Sequence, residues 1–104
     1  MSFVLLSLNA VSSDADGEAL ALNSPTSEYS LQVSFAGTIS GTGPTLYLEG
    51  SLDGVNFFRV GFMNGQTSGS AFVVNSTEAL ATFVRAVVSG LSGGGTVTAY
   101  VAAK

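Results

Sequence analysis

The sequence has few charged residues, and very few of them are basic. Only 10% of its 104 residues are charged, with three Lys or Arg against seven Asp or Glu and a net charge of −4. An average soluble domain is about one-quarter charged, and a chain of about 100 residues exposes much of its surface. Ser, Thr, Gly and apolar side chains must therefore cover most of the outside, which is typical of a protein that packs against neighbours.

The shortage of positive charge argues against two classes of partner. Nucleic-acid binding depends on a cluster of Lys and Arg, and anionic membranes attract the same residues. This chain has only Arg59, Arg85 and Lys104. The apolar segment 3–8 lacks the basic start and the length of a signal peptide, so we predict a strand there. We expect no nucleic acid and no membrane among the partners.

The sequence also lacks the residues that most enzymes use. It has no histidine, which is the commonest general base and metal ligand, and no cysteine or tryptophan. Its serines therefore have no obvious activating base, because the one lysine, Lys104, is the last residue. The glycines at 93–95 lack the lysine and the spacing of a phosphate-binding loop. We expect a protein that is not an enzyme and has no cofactor.

Two groups of acidic residues are the remaining candidates for chemistry. Asp14, Asp16 and Glu18 lie within five residues and are weak candidates for a metal site, since calcium prefers oxygen ligands. A solvated turn between strands is the alternative for this segment. Glu49 and Asp53 flank another turn, and paired carboxylates can carry out glycoside hydrolysis, but the sequence offers no sugar cleft. We interpret these two as solvated acids at the end of a hairpin.

Apolar and polar residues alternate with a period of two, which predicts strands with one buried face. The apolar sets are Tyr29, Leu31, Val33 and Phe35; Leu46, Leu48 and Leu52; and Val97, Ala99 and Val101. The predicted strands span 3–8, 18–22, 29–36, 45–52, 57–63, 70–75, 82–89 and 96–102. Short helical structure is an alternative at 18–22 and at 77–81, where Thr77 would be the cap.

Thirteen glycines against two prolines suit a chain with many tight turns. Asp53-Gly54 and Asn64-Gly65 are hairpin signals of the primed-turn kind. About eight short strands at this spacing predict a single all-β domain over residues 1–104, an antiparallel β-sandwich. A jelly roll is the first choice of topology, and an immunoglobulin-like sandwich is the second.

Two of the predicted strands carry more apolar residues than one buried face needs. Strict alternation places Phe58, Val60 and Phe62 inside, so that Phe57 and Met63 face outward with Arg59. An unpaired arginine is costly to bury, so Arg85 faces outward, and Phe83 and Val87 follow it while Val84, Ala86 and Val88 line the core. Arginine beside aromatic rings is a common composition at protein interfaces. The predicted contact surface is Phe57, Arg59, Met63, Phe83, Arg85 and Val87. There are two alternatives. A second sheet could cover this surface, or the strand that carries Arg85 could be an ordinary surface strand in which Arg85 pairs with an acid.

Two segments carry a resemblance to a known group of proteins. The sequence LEGSLDGVNFF, from Leu48 to Phe58, resembles the G-S-x-D-G-x-N-[WF] hairpin of small β-sandwich structural proteins of tailed bacteriophages. The sequence FVRAVVSGLSGGGTVTAYVAA, which begins at Phe83, is similar to the arginine-bearing strand, Gly-rich turn and Thr/Val strand that often close those domains. The resemblance covers about residues 29–102. Phe57 stands where those hairpins often have tryptophan.

The resemblance implies a capsid decoration, or cement, protein on the outer surface of a phage head. Its partners would be the major capsid protein and copies of itself, with a trimer as one arrangement that suits shell symmetry. A head-fibre or tail component is an alternative within the same class of virion structural proteins. A carbohydrate-binding module on a virion or cell surface is the alternative of a different class. Its stacking residues would be Tyr29, Tyr47, Tyr100 and Phe57.

Overall fold

The computed structural model describes residues 3–39, 43–63, 72–76 and 80–103. All regular structure in these stretches is β. The strands are β1 (Phe3–Val11), β2 (Ala15–Asp16), β3 (Leu20–Thr26), β4 (Tyr29–Ala36), β5 (Thr45–Ser51), β6 (Phe57–Met63), β7 (Phe72–Ser76), β8 (Ala81–Ser89) and β9 (Thr96–Ala103). Within these residues no helix is long and apolar enough to cross a membrane.

The strands form two antiparallel sheets that pack face to face. Sheet 1 has the order β1-β9-β4-β7, and sheet 2 has the order β2-β8-β5-β6. Strand β3 pairs with β8 further along the edge that β2 occupies, so β2 and β3 share one position. Apart from the β2–β3 and β5–β6 steps, the chain changes sheet at every connection. The predicted β-sandwich is confirmed, and two sheets of four positions in this order form a jelly roll.

The core lies between the sheets and is mostly aliphatic. The predicted alternation is confirmed in β4, β8 and β9, and in β5 for Leu46 and Leu48. The buried core residues that follow this alternation include Tyr29, Leu31, Val33, Leu46, Leu48, Val84, Ala86, Val88, Val97, Ala99 and Val101. β-Branched side chains pack well on pleated surfaces, which suits the five valines of β8 and β9.

Strand ends differ from the prediction in three places. Leu52 was expected on the buried face of β5, but its side chain is 63% exposed because the strand ends at Ser51 and the chain turns away. Residues 20–22 belong to β3, so the alternative of a helical turn there is wrong. The predicted short helix at 77–81 falls mainly on 77–79, which lie outside the described residues, as does Asn64-Gly65. Ala81 begins β8.

A β-bulge in β6 reverses the predicted orientation of its last residues. Leu48 pairs with Gly61 and Glu49 pairs with Arg59, so Val60 is an extra residue on β6. A bulge of one residue shifts every later side chain to the other face. Phe62 is consequently 62% exposed, and Met63 packs against the core. The prediction of Phe62 inside and Met63 outside was therefore wrong, whereas Phe58 and Val60 do contact the core.

Ser7 joins the two sheets at the start of the chain. A register shift between Leu6 and Leu8 leaves Ser7 out of the pairing of β1 with β9. Its Oγ donates a hydrogen bond to the Glu18 carbonyl (2.7 Å) and accepts one from the Ala86 amide of β8 (2.9 Å). Gly17 lies so close that an added Cβ would collide with Ser7 Oγ and the Ala86 carbonyl. Only glycine fits this crossing, which fixes β1 against sheet 2.

Two leucines four residues apart test the position of the core. We expect Leu48→Ala to lower the free energy of unfolding by about 2–5 kcal/mol, because Leu48 is fully buried and the change leaves a cavity. The same change at the exposed Leu52 should cost no more than about 0.5 kcal/mol. Urea unfolding of both variants provides the measurement. Equal losses would contradict the end of β5 at Ser51.

Candidate functional site: the outer face of sheet 2

The outer face of sheet 2 carries both internal arginines. Strand β5 runs through the middle of the sheet, and Glu49 on β5 lies opposite Arg59 of β6 on one side and Arg85 of β8 on the other. Leu48 and Gly50 point to the core, so Glu49 points outward between the two cations. Three adjacent strands thus place one acid between two bases in a single row.

Glu49 is held closely by Arg85 and more loosely by Arg59. Its Oε1 accepts a hydrogen bond from Arg85 Nε (3.0 Å) and forms an ion pair with Arg85 Nη2 (2.9 Å), while its Oε2 lies 3.6 Å from Arg59 Nε. Asp16 of β2 adds a second carboxylate 3.8 Å from Arg85 Nη1. The Glu49 side chain is only 10% exposed, against 63% for Arg59. The prediction that Glu49 is a solvated acid was wrong, and the alternative in which Arg85 pairs with an acid is confirmed.

Each arginine also covers an aromatic ring. The Arg59 guanidinium carbon lies 3.8 Å from the centre of the Tyr47 ring, and that of Arg85 lies 3.8 Å from the centre of the Phe57 ring. Cations at this distance are attracted to the ring face, by about 0.5–1 kcal/mol where solvent reaches them. One face of each ring is therefore occupied by the protein's own side chain. We call these five residues, Tyr47, Glu49, Phe57, Arg59 and Arg85, the arginine cluster.

The turn from β5 to β6 is built around one carboxylate. Asp53 Oδ1 accepts hydrogen bonds from the amides of Val55 and Asn56 (both 2.8 Å), and Oδ2 accepts one from Asn56 Nδ2 (3.0 Å). These bonds, the Asn56 amide first, hold the pKa of Asp53 well below its ordinary value. Ser51 Oγ accepts a hydrogen bond from the amide of Gly54, whose φ is 77°. The predicted hairpin is confirmed, with a turn over 52–56 rather than a two-residue turn.

This turn folds over the neighbouring strand β8. A Cβ on Gly54 would lie 3.0 Å from the Phe83 ring, so the backbone of the turn rests on that ring. Thr82 Oγ1 donates a hydrogen bond to the Leu52 carbonyl (3.0 Å). Phe83 is therefore partly covered by its own chain, and glycine is needed at position 54 both for its φ and for this contact.

The six residues predicted as a contact surface do not all remain accessible. Phe57 lies under Arg85, Phe83 lies under the turn, Val87 is buried, and Met63 belongs to the core. Arg59 remains largely exposed. Phe62, which pairs across the strands with Tyr47, is an exposed neighbour that the prediction missed. The alternation of residues along β5 could have identified Tyr47 and Glu49 as outward-facing. The bulge that exposes Phe62, in contrast, leaves no signal in the sequence.

The weak metal candidates diverge in space. Asp14 Oδ1 accepts a hydrogen bond from the Leu91 amide (2.8 Å), and the amides of Gly90 and Leu91 lower its pKa. Asp16 is directed at Arg85, while the amide of Glu18 is bonded to the Ser7 carbonyl. Throughout the described stretches, no group of three or more acidic residues could hold a metal ion.

Comparison with known proteins identifies the fold through solved structures. No family model matches the chain, and no curated protein matches it. The SPBc2 prophage-derived protein YomS superposes with a TM-score of 0.68 at 12% identity, over 99% of this chain and 92% of that one. A structure of the Gx strain of infectious bursal disease virus is also similar, with a TM-score of 0.45 at 12% identity, over 99% of this chain and 31% of that one. At this identity the likeness to YomS shows a shared fold.

The charge on Glu49 should matter for stability. We expect Glu49→Gln to lower the free energy of unfolding by about 2–3 kcal/mol, because it removes the negative charge that pairs with Arg85 and Arg59 in a largely buried position. Glu18→Gln makes the same chemical change at an exposed site and should cost no more than about 0.5 kcal/mol. Chemical unfolding of both variants decides the point, and a Glu49→Gln variant as stable as Glu18→Gln would contradict it.

Asp53 should make stability depend on pH on the acid side. Its pKa is lowered on folding, so the ionised carboxylate stabilises the protein above the ordinary carboxyl range. That contribution is lost as the pH falls toward the pKa of the folded state. We expect Asp53→Asn to be less stable than the wild type at pH 7, with a difference that narrows toward pH 2. Thermal unfolding across this range tests it, and a constant difference would refute the assignment.

Proposed function

We propose that this protein is a non-enzymatic structural protein of a phage virion, and specifically a decoration protein that binds the outer surface of the head and stabilises it. The observation that carries the proposal is the jelly-roll sandwich itself, which a prophage-derived protein shares over nearly its whole length. The phage-like hairpin sequence from Leu48 to Phe58 supports it independently. The hairpin's Ser, Asp, Gly and Asn are the residues that build the 52–56 turn.

The arrangement of side chains suits a protein that acts by binding. The arginine cluster satisfies its own charges and covers its own rings, so the outer face of sheet 2 is rigid before any partner arrives. Rigid side chains lose little entropy on binding. Copies on a shell are also held at high local density, so modest contacts accumulate into firm attachment.

Arg59 and Phe62 are the residues we propose as the point of contact with the shell protein. They are two exposed residues of this face, one cationic and one aromatic, and both lie on β6 at the side of sheet 2. Arginine and aromatic residues dominate the energetics of many interfaces. Since Arg59 lies 3.6 Å from Glu49, a partner carboxylate could bind it without breaking the tighter pair of Glu49 with Arg85.

A carbohydrate-binding module has less support. Such modules stack sugars on open aromatic faces. Of the four aromatic residues considered for that role, Tyr29 is buried, and Tyr47 and Phe57 lie under arginines. Tyr100 remains, on the outer face of sheet 1. One ring without a neighbouring second ring provides a poor platform.

The direct test is binding to phage heads assembled without this protein. We expect the purified chain to sediment with such particles and to raise the temperature at which they release DNA. Particles that gain neither bound protein nor heat resistance would overturn the decoration role.

Matched variants test the contact point in the same assay. Phe62→Ser should weaken binding to particles by about tenfold or more, since interface aromatics often contribute that much. Leu80→Ser removes a similarly exposed apolar side chain just before β8, outside both sheets, and should bind as the wild type does. Circular dichroism and thermal unfolding confirm that both variants are folded. Equal binding by the two would remove Phe62 from the contact.

A further inference from the structure

The outer face of sheet 1 differs from that of sheet 2 in that its described residues on β1, β9 and β4 carry no charge. Register places ten described residues of β1, β9 and β4 on it, and none is charged. They form rows across the strands: Val4, Ala102 and Ser30; Leu6, Tyr100 and Gln32; Thr98 and Ser34; Thr96 and Ala36. Val4 is 66% exposed and Tyr100 is 44% exposed. The apolar side chains of β1 and β9 thus lie next to small side chains that carry hydroxyl and amide groups.

The charged residues that the structure describes lie elsewhere. Asp14, Asp16 and Glu18 follow β1 toward sheet 2, and Glu28 lies in the turn before β4. The remaining described charges belong to the arginine cluster and to Asp53. Two protein molecules with a net charge of −4 repel each other. They repel least when their uncharged faces meet and their acidic regions stay in water.

The absence of charge also restricts what can cover this face. A charged partner group placed on it would lose water without gaining a counter-charge, which is costly. The surface that complements it best is therefore another uncharged, flat sheet. Among the described residues, the outer face of sheet 2 carries charges, whereas the outer face of sheet 1 does not. The matching surface for the outer face of sheet 1 is therefore the same face on a second copy of the chain.

The area of the face agrees with a weak symmetric contact. Three strands of eight or nine residues, together with β7 of five residues, lie about 4.8 Å apart and cover roughly 500 Å². Two such faces bury about 1,000 Å² in total, at the lower limit for a specific interface. Tyr100 and Gln32 lie near the middle, where an interface has its energetic centre. Serine and threonine hydroxyls around them can pair across a two-fold axis.

We propose that the outer face of sheet 1 is a self-association surface, through which two copies of this chain pack face to face about a two-fold axis. The contact is weak in dilute solution and is filled when copies are concentrated. It uses neither Arg59 nor Phe62, so it leaves sheet 2 open to a different partner.

Sedimentation equilibrium from about 10 µM to about 1 mM protein tests the proposal. We expect the average mass to rise from 10.5 kDa toward twice that value. Added salt should strengthen association or leave it unchanged, because it screens repulsion between like-charged molecules. A wild-type mass that stays at one chain, that rises to three chains, or that falls with salt would overturn the proposal.

Gln32→Glu supplies the sharpest variant, because it adds one charge to the middle of the face with almost no change of shape. We expect it to raise the dissociation constant about tenfold or more, since two like charges would meet across the axis. Asn23→Asp adds the same charge at an exposed position on β3 in sheet 2 and should associate as the wild type does. Equal effects from both variants would mean that net charge alone is responsible.

Tyr100→Asp provides a second and stronger disruption of the same face. It should be monomeric at every concentration while remaining folded by circular dichroism. Binding to phage heads separates this proposal from the decoration role. If free protein is monomeric but Gln32→Glu fails to bind heads, the shell protein covers this face and self-association is wrong.

Discussion

One carboxylate on the central strand of sheet 2 determines how the outer surface of that sheet is arranged. Glu49 cannot be buried without a counter-charge, and its position on β5 allows it to have one on each side. Arg85 supplies a hydrogen bond and a close ion-pair contact to a single oxygen, and Arg59 approaches the other oxygen. Once the guanidinium groups are fixed in this way, each lies across a ring, Tyr47 or Phe57. Side chains that would otherwise be a loose mixture of cations and aromatics become one ordered layer.

The two outer faces therefore reach electrical neutrality by different means. Sheet 2 has charged residues and pairs them, so that Arg85 serves both Glu49 and Asp16. Sheet 1 carries none among the described residues of β1, β9 and β4. The low charge of the composition is thus unevenly distributed: one side of the sandwich is polar and preorganised, and the other is neutral and flat. Such a two-sided molecule suits an assembly in which each side meets a different neighbour.

The sequence predicted the fold well because its information is local and repetitive. Alternation in β4, β5, β8 and β9 identifies the core directly, and Asp53-Gly54 marks the β5–β6 hairpin. The site was harder to predict. The strict alternation of inward and outward residues fails after Val60 because β6 has an extra residue there. Such an extra residue leaves no trace in the hydrophobic pattern of the sequence, so the shift could not be predicted. Glu49 looked solvated because its burial depends on Arg85, which is 36 residues away in the sequence. Long-range pairing of this kind cannot be read from the spacing of residues.

The bulge at Val60 also affects the margin of sheet 2. In the described part of the chain β6 is the last strand of that sheet, and a regular last strand offers an unbroken row of amides and carbonyls to any extended chain. The extra residue interrupts the spacing of that row and increases the local twist, which is one way in which natural proteins keep sheet margins from pairing indiscriminately. Molecules crowded side by side can then touch through side chains without merging their sheets into a continuous fibril. The irregularity that exposes Phe62 thereby also makes this margin a poor place for one sheet to join another.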